Sequence, residues 1–206
     1  LWQLITDMSP EEMVNCIDFT KLSNALTRDE ALEILNRHAD TKAERIRELK
    51  KDGYPAYITS TGWLGYPEEK VRKLTDEALA EGWNDFKMKV SNDVESDMKR
   101  AALIRELIGP DRRLMMDANQ CWELDEAIQN IKKLARYDPW WIEEPVSPDD
   151  VLGHKAIREA VHPIKIATGE HCQNRVMFKQ FLQSGSIDIC QIDSCRVAGV
   201  NEVLSI

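Results

Sequence analysis

The sequence predicts an α/β fold: a (β/α)8-type TIM barrel, incomplete in this chain, with about six βα units behind a helical N-terminal segment. Three observations lead there. From residue 55 onward, short apolar runs alternate with amphipathic helical stretches, which is the pattern of a parallel sheet. Acids and lysines recur about once per unit at the ends of those runs, as on the C-terminal rim of a barrel, whereas an open doubly wound sheet gathers such groups at one switch point. No G-x-G-x-x-G or G-x-x-x-x-G-K-[ST] follows any run, which counts against a nucleotide-binding sheet.

Residues 1–54 read as a charged helical lead-in and residues 55–206 as the partial barrel, strands one to six. In the lead-in, Ser9-Pro10-Glu11-Glu12 supplies a cap, a first-turn proline and acids, and Thr27-x-x-Glu30 forms a capping box. The first strand is expected at Pro55–Ser60, before a helix from Pro67 with Val71, Leu74 and Ala78 on one face. Asp85–Val90 follows, then a helix from about Asp93 to Leu107 whose stripe is Val94, Met98, Ala101, Ile104 and Ile108, stopped by Gly109-Pro110. Leu114–Ala118 precedes a helix carrying Ala127, Ile128, Ile131 and Leu134, and Trp140–Glu143 precedes one starting near Pro148. Ile164–Thr168 leads to Val176, Met177, Phe181 and Leu182, and Ile187–Asp193 leads to a helix from Val200.

The chain has 206 residues with 27 basic and 36 acidic side chains, a net charge of −9, so it is no general nucleic-acid or anionic-membrane binder. Five cysteines, none in a C-x-x-C pair, indicate neither a disulfide framework nor a thiolate zinc site and are expected as small buried apolar residues of a reducing interior. No stretch reaches the length of a membrane span, and the apolar run Leu1–Ile5 is too short for a signal sequence. His38, His154 and His162 read as surface or capping residues.

The strand ends carry the chemistry. Asp117, Glu143 and Glu170 are hard oxygen donors from three consecutive units, a set that suits Mg2+. Lys87 and Lys89 alternate along one strand and point to the same side, with Phe86, Met88 and Val90 on the other. Two ammonium groups in a barrel interior are expected to depress each other's pKa, and a nearby metal ion to depress both further, which prepares a lysine to act as a base. Asp193, on the sixth strand, is placed to orient a histidine from the next strand. His171 adjoins Glu170, and alternation turns it the opposite way.

Lys87-Met88-Lys89, Met116-Asp117-Ala118-Asn119-Gln120, Trp141-Ile142-Glu143-Glu144-Pro145, Ala167-Thr168-Gly169-Glu170 and Gln191-Ile192-Asp193 together resemble the enolase superfamily in its mandelate-racemase-like branch. Gly53–Tyr57, Trp63–Tyr66, Ser147–His154 and Gln173–Val176 look like its L-fuconate dehydratases. The resemblance implies Asp117, Glu143 and Glu170 as Mg2+ ligands, and Lys89, Lys87 and Asp193 as catalytic groups. Lys87, Asn119 and Glu170 would face the substrate. It implies dehydration of an L-fuconate-like acid sugar to a 2-keto-3-deoxy sugar acid through an enediolate, with no nucleic-acid or membrane partner, and a homo-oligomer as an open expectation. An intracellular location, mitochondrial or cytoplasmic, goes with it. Residues 1–54 would be a remnant of the cap region. The histidine partner of Asp193 belongs on a seventh strand, so the chain by itself is expected to lack turnover. A truncated inactive isoform, or a racemase or dehydratase of another sugar acid, stays open.

Overall fold

The computed structural model describes residues 6–206, so the run Leu1–Ile5 lies outside the described residues. The chain forms two compact units. One comprises the described residues through Pro55 together with Cys172–Gln183 and Ile192–Ile206; the other comprises Ala56–His171 and Ser184–Gln191.

The first unit is helical. Helices α1 (Pro10–Asn15) and α2 (Arg28–Arg37) both start with complete capping boxes, Ser9 with Glu12 and Thr27 with Glu30, in which side chain and backbone satisfy each other's first-turn donors. Helix α3 (Lys42–Asp52) ends at Gly53, whose φ of 76° is the left-handed conformation glycine adopts freely. In the same unit, the Arg175 guanidinium bridges Asp18 (2.7 Å) and Glu202 (2.6 Å).

The second unit holds a six-stranded, all-parallel sheet in the order β1 to β6. The strands are β1 (Ile58–Gly62), β2 (Asp85–Lys89), β3 (Arg113–Asp117), β4 (Pro139–Glu143), β5 (Lys165–Thr168) and β6 (Ile189–Cys190). Helices α4 (Glu68–Ala80), α5 (Val94–Ile108), α6 (Leu124–Leu134) and α7 (Val151–Val161) make the crossovers. After β5 and β6 come α8 (Arg175–Ser184) and α9 (Val200–Ser205). Consecutive strands pairing in order is the topology of a barrel wall rather than of a doubly wound sheet. Among the described residues, no helix is long and apolar enough to cross a membrane.

Two faces of the sheet are buried differently. Phe86, Met88, Leu114, Met116, Ile142 and Ile166 are fully covered and, with Ala101, Ile104, Ala127, Ile131 and Ile157 of the helices, fill the layer between sheet and helices. The opposite face is the interior, where Met115, Trp141 and Ala167 cluster with Tyr57, Trp140 and Ile189. At the N-terminal end of the sheet, Arg105 donates to the carbonyls of Gly109 and Arg112 (both 2.8 Å) and of Tyr137 and Asp138 (both 3.0 Å).

Several sequence expectations need correction. The first strand starts at Ile58, where pairing with Phe86 begins, and runs on to Gly62, opposite Met88. Glycine is required there, because a Cβ would lie 2.5 Å from the Met88 Cβ. The sixth strand is shortened to Ile189–Cys190; just before it the Asp188 N–H donates to the Ile166 carbonyl (2.8 Å) and the Asp188 carboxylate accepts from the Ile166 N–H (3.0 Å) and Arg158 (2.7 Å). His154 is fully buried rather than at the surface, with Nδ1 against the Asp150 carbonyl at 2.8 Å. Of the cysteines only Cys172 is fully buried; Cys190 and Cys195 are exposed.

Candidate active site

Parallel register builds the centre of the site. Lys89, Asp117 and Glu143 are Cα partners in one row across β2, β3 and β4, at the C-terminal ends of the strands. Their shared phase along the strands turns all three toward the interior. Lys87 lies two residues back on β2. It reaches Glu143 Oε2 at 2.7 Å and Asp117 Oδ2 at 3.2 Å. Lys89 reaches Asp117 Oδ2 at 2.6 Å and donates to Asn119 Oδ1, also at 2.6 Å. Asn119 closes the turn by donating its backbone N–H to Asp117 Oδ1 (3.0 Å). Aromatic walls stand beside both ammonium groups: Lys87 Nζ is 5.2 Å from the Tyr57 ring centroid and Lys89 Nζ 5.4 Å from that of Trp63.

Burial and charge oppose each other here. Asp117 and Glu143 are wholly inaccessible. Burial pushes the Glu143 carboxyl up, Asp117 adds to this, and Lys87 and Gln191 only partly offset it. Burial acts the same way on Asp117, but Lys87, Lys89 and the Asn119 N–H outweigh it and hold that carboxyl below its usual value. Lys87 corrects the sequence expectation of a depressed lysine. Burial does lower its pKa, yet the carboxylates of Glu143 and Asp117 overcome this and hold it above the ordinary lysine value. The expectation counted the second ammonium and a nearby metal ion; the two carboxylates in direct contact act the opposite way.

Glu143 Oε1 is buried and has no hydrogen-bond partner. An orphaned anionic oxygen beside a second carboxylate fits a hard divalent cation, which takes oxygen donors and tolerates additional ones from substrate. Glu170 lies beyond the row, in the turn after β5, and is half-buried. Among the described residues, no three Asp, Glu, His or Cys side chains are gathered closely enough to hold a metal ion. The structure therefore brings together Lys87, Lys89, Asp117, Asn119 and Glu143, and leaves Glu170 outside that cluster. Asp193 belongs to the first unit, where its Oδ1 accepts from the backbone N–H groups of Cys195 (2.7 Å) and Arg196 (3.2 Å).

Two supporting networks escape a reading of the sequence. Asp97, fully buried on α5, accepts from the Ser91 N–H (2.7 Å) and from Arg100 (2.5 Å), and Arg100 in turn donates to the Lys89 carbonyl (2.7 Å). Trp122 Nε1 adds a bond to the Ser91 carbonyl (2.8 Å). These contacts fix the loop that leaves β2 just after the lysines. Asp97→Ala is expected to lower stability by about 2–3 kcal/mol, because a buried guanidinium and an amide lose their acceptor. Urea unfolding measures it, and a change under about 0.5 kcal/mol, the range of an ordinary surface substitution, would remove the network from consideration. The second network joins Glu144, His171 and Gln120. Its available signal was a second acid, Glu144, inside the apolar stretch Trp141 to Val146, where a carboxylate requires partners.

Paired lysines and carboxylates gathered at the C-terminal ends of parallel strands are groups capable of general acid–base chemistry. The family described as Enolase C-terminal domain-like matches residues 70–206, and the chain belongs to the enolase superfamily, in its mandelate-racemase branch. It is 53% identical to the L-galactonate dehydratase of Hypocrea jecorina over the whole chain, covering 47% of that protein. The crystal structure of human mitochondrial enolase superfamily member 1 superposes with a TM-score of 0.95 at 50% identity, covering 99% of this chain and 47% of that one. L-talarate/galactarate dehydratase from Salmonella typhimurium LT2, liganded with Mg and L-lyxarohydroxamate, gives a TM-score of 0.68 at 32% identity, over 71% of this chain and 38% of that one. The chain thus spans about half the length of the first two relatives.

Proposed function

We propose that the whole protein is an acid-sugar dehydratase that depends on Mg2+ and acts on L-fuconate or a close relative, giving a 2-keto-3-deoxy sugar acid. The observation that carries this reading is the interior row of Lys89, Asp117 and Glu143 with Lys87 beneath it and one unpaired oxygen on Glu143. Lys89, with Asn119 beside it, would take the proton from the carbon next to the substrate carboxylate. Lys87 would bind that carboxylate, and Glu170 would approach from the turn after β5. Loss of the hydroxyl from the following carbon then completes elimination of water. A divalent cation on Asp117, Glu143 and Glu170 would supply positive charge where negative charge grows and would release both ammonium groups from their present carboxylate partners. Asp193 is proposed as the orienting partner of a histidine.

The substrate follows from chemistry and kinship. L-fuconate and L-galactonate share their configuration at the reacting carbons and differ at the terminal hydroxyl, so the same elimination is chemically open to both. A relative named for L-galactonate supports this substrate class. Relatives named as mitochondrial proteins support an intracellular, mitochondrial location.

The test is a panel of sugar acids incubated with the whole protein, with and without Mg2+, with 2-keto acid formation as the readout. Glu143→Gln is expected to lower the Mg2+-dependent rate at least a hundredfold, about 3 kcal/mol of transition-state stabilisation. Unchanged activity would take Glu143 out of the ligand set, and turnover independent of divalent cations would overturn the reading.

A further inference from the structure

We propose that Gln120, Glu144 and His171 form a clamp that positions the three strand ends bearing Asp117, Glu143 and Glu170 for a divalent cation. This rests on the assignment of those three carboxylates as the cation's ligands. Each clamp residue follows a candidate ligand closely in sequence: Gln120 after Asp117, Glu144 directly after Glu143, and His171 directly after Glu170. Glu144 is fully buried. Its Oε1 is 2.6 Å from His171 Nδ1, its Oε2 accepts from Gln120 Nε2 at 3.1 Å, and Gln120 Nε2 lies 2.9 Å from His171 Nδ1. Main-chain bonds run along the same path, from the Gln120 N–H to the Glu144 carbonyl (2.8 Å) and from the Glu144 N–H to the Ala167 carbonyl (2.9 Å).

Charge makes the clamp more than a loop contact. A carboxylate removed from water is costly unless donors compensate it. Here the donors come from two other loops, so the loops after β3, β4 and β5 can separate only by uncovering that charge. The backbone is also held away from its preferred conformations: Asn119, Gln120 and Glu144 are non-glycine residues at φ of 43°, 64° and 44°. Such conformations persist where surroundings over-determine them, and they cluster at functional sites. The hydrogen bonds and ion pairs of the two lysines go to Glu143, Asp117 and Asn119, so the clamp acts through the positions of neighbouring residues. Glu170 is half-buried in the turn after β5 and is followed directly by His171. Partners behind metal ligands commonly tune affinity by about 10–100-fold.

Mn2+ binding by the purified whole protein, followed by titration and by the line shape of its electron paramagnetic resonance, tests the clamp. His171→Leu and Gln120→Leu are each expected to weaken Mn2+ about 10–100-fold and to alter the line shape, whereas His171→Gln, which keeps a donor, restores affinity to within about threefold. Thermal unfolding without metal, measured in parallel, identifies any variant that fails to fold, and Gln120→Leu then decides. Wild-type affinity and line shape in folded His171→Leu or Gln120→Leu, alongside lost binding in Glu143→Gln, overturn the clamp alone. Absence of Mn2+ binding by the unaltered protein, or unchanged binding in Glu143→Gln, overturns the ligand assignment and the clamp with it.

Discussion

Lys87→Met is expected to lower folding stability by about 3–5 kcal/mol, because it leaves buried carboxylates without the ammonium that bridges them. Asp117 keeps Lys89, but Glu143 keeps only Gln191. The pH dependence has a definite sign. Lys87 holds its proton more tightly folded than unfolded, so its contribution is fully present below the ordinary lysine range and is lost only as pH rises through its raised folded value. Asp117, held below its usual range, contributes stability above that range and loses it as pH falls through its folded value. Glu143 is held above its usual value, so its ionisation opposes folding at neutral pH and this opposition fades as pH falls toward 4.5. Without Lys87 the Glu143 carboxyl rises further. The gap between variant and wild type should therefore narrow as pH falls toward the ordinary carboxylate value and the carboxyl takes up a proton. Urea unfolding across a pH series in the presence of a chelator checks this; a gap that stays constant as pH falls would contradict the assignment of Lys87 as the bridge.

Lys89→Met in the whole protein is expected to lower dehydration by up to about 10⁴-fold, the upper range for a group that moves a proton in the transition state. Asp117 keeps Lys87 in this variant, so stability should fall less than in Lys87→Met. Exchange of the hydrogen next to the substrate carboxylate in deuterated water isolates the step. Loss of both exchange and dehydration is expected. Exchange that persists while dehydration stops would move Lys89 from proton abstraction to the departure of the hydroxyl.

The alternation of apolar runs and amphipathic helices suffices to read the sheet, because strands β2 to β5 are largely buried and the crossover helices between them each bury one face. Its boundaries were less legible at both ends. The first strand slid to Ile58–Gly62 because Gly62, which reads as a turn residue, is demanded by close contact with Met88. The sixth is confined to Ile189–Cys190, and Asp188 before it adds a carboxylate bond to β5 beside its main-chain one. In the site, once-per-unit spacing located Lys87, Lys89, Asp117 and Glu143 together. The protonation of Lys87 was read with the wrong sign, since the pair's repulsion is visible in its spacing while contacts across strands depend on register. The partnership of Glu144 with His171 depends on two loops meeting, which no local pattern encodes. Asp97 was hidden by its place on an ordinary helix, where an acid normally signals a solvated face.

The row that joins Lys89, Asp117 and Glu143 has a consequence for how the protein tolerates change. A slip of one residue in β3 would turn Asp117 outward and bring Met116 inward, undoing the packing and the charge pairing in a single event. Misfolding of the wall and misplacement of the lysine–carboxylate row are thus the same error in these strands. A protein that has formed the wall correctly has already aligned that row, and quality control that recognises exposed apolar surface would also discard chains in which the row is misaligned.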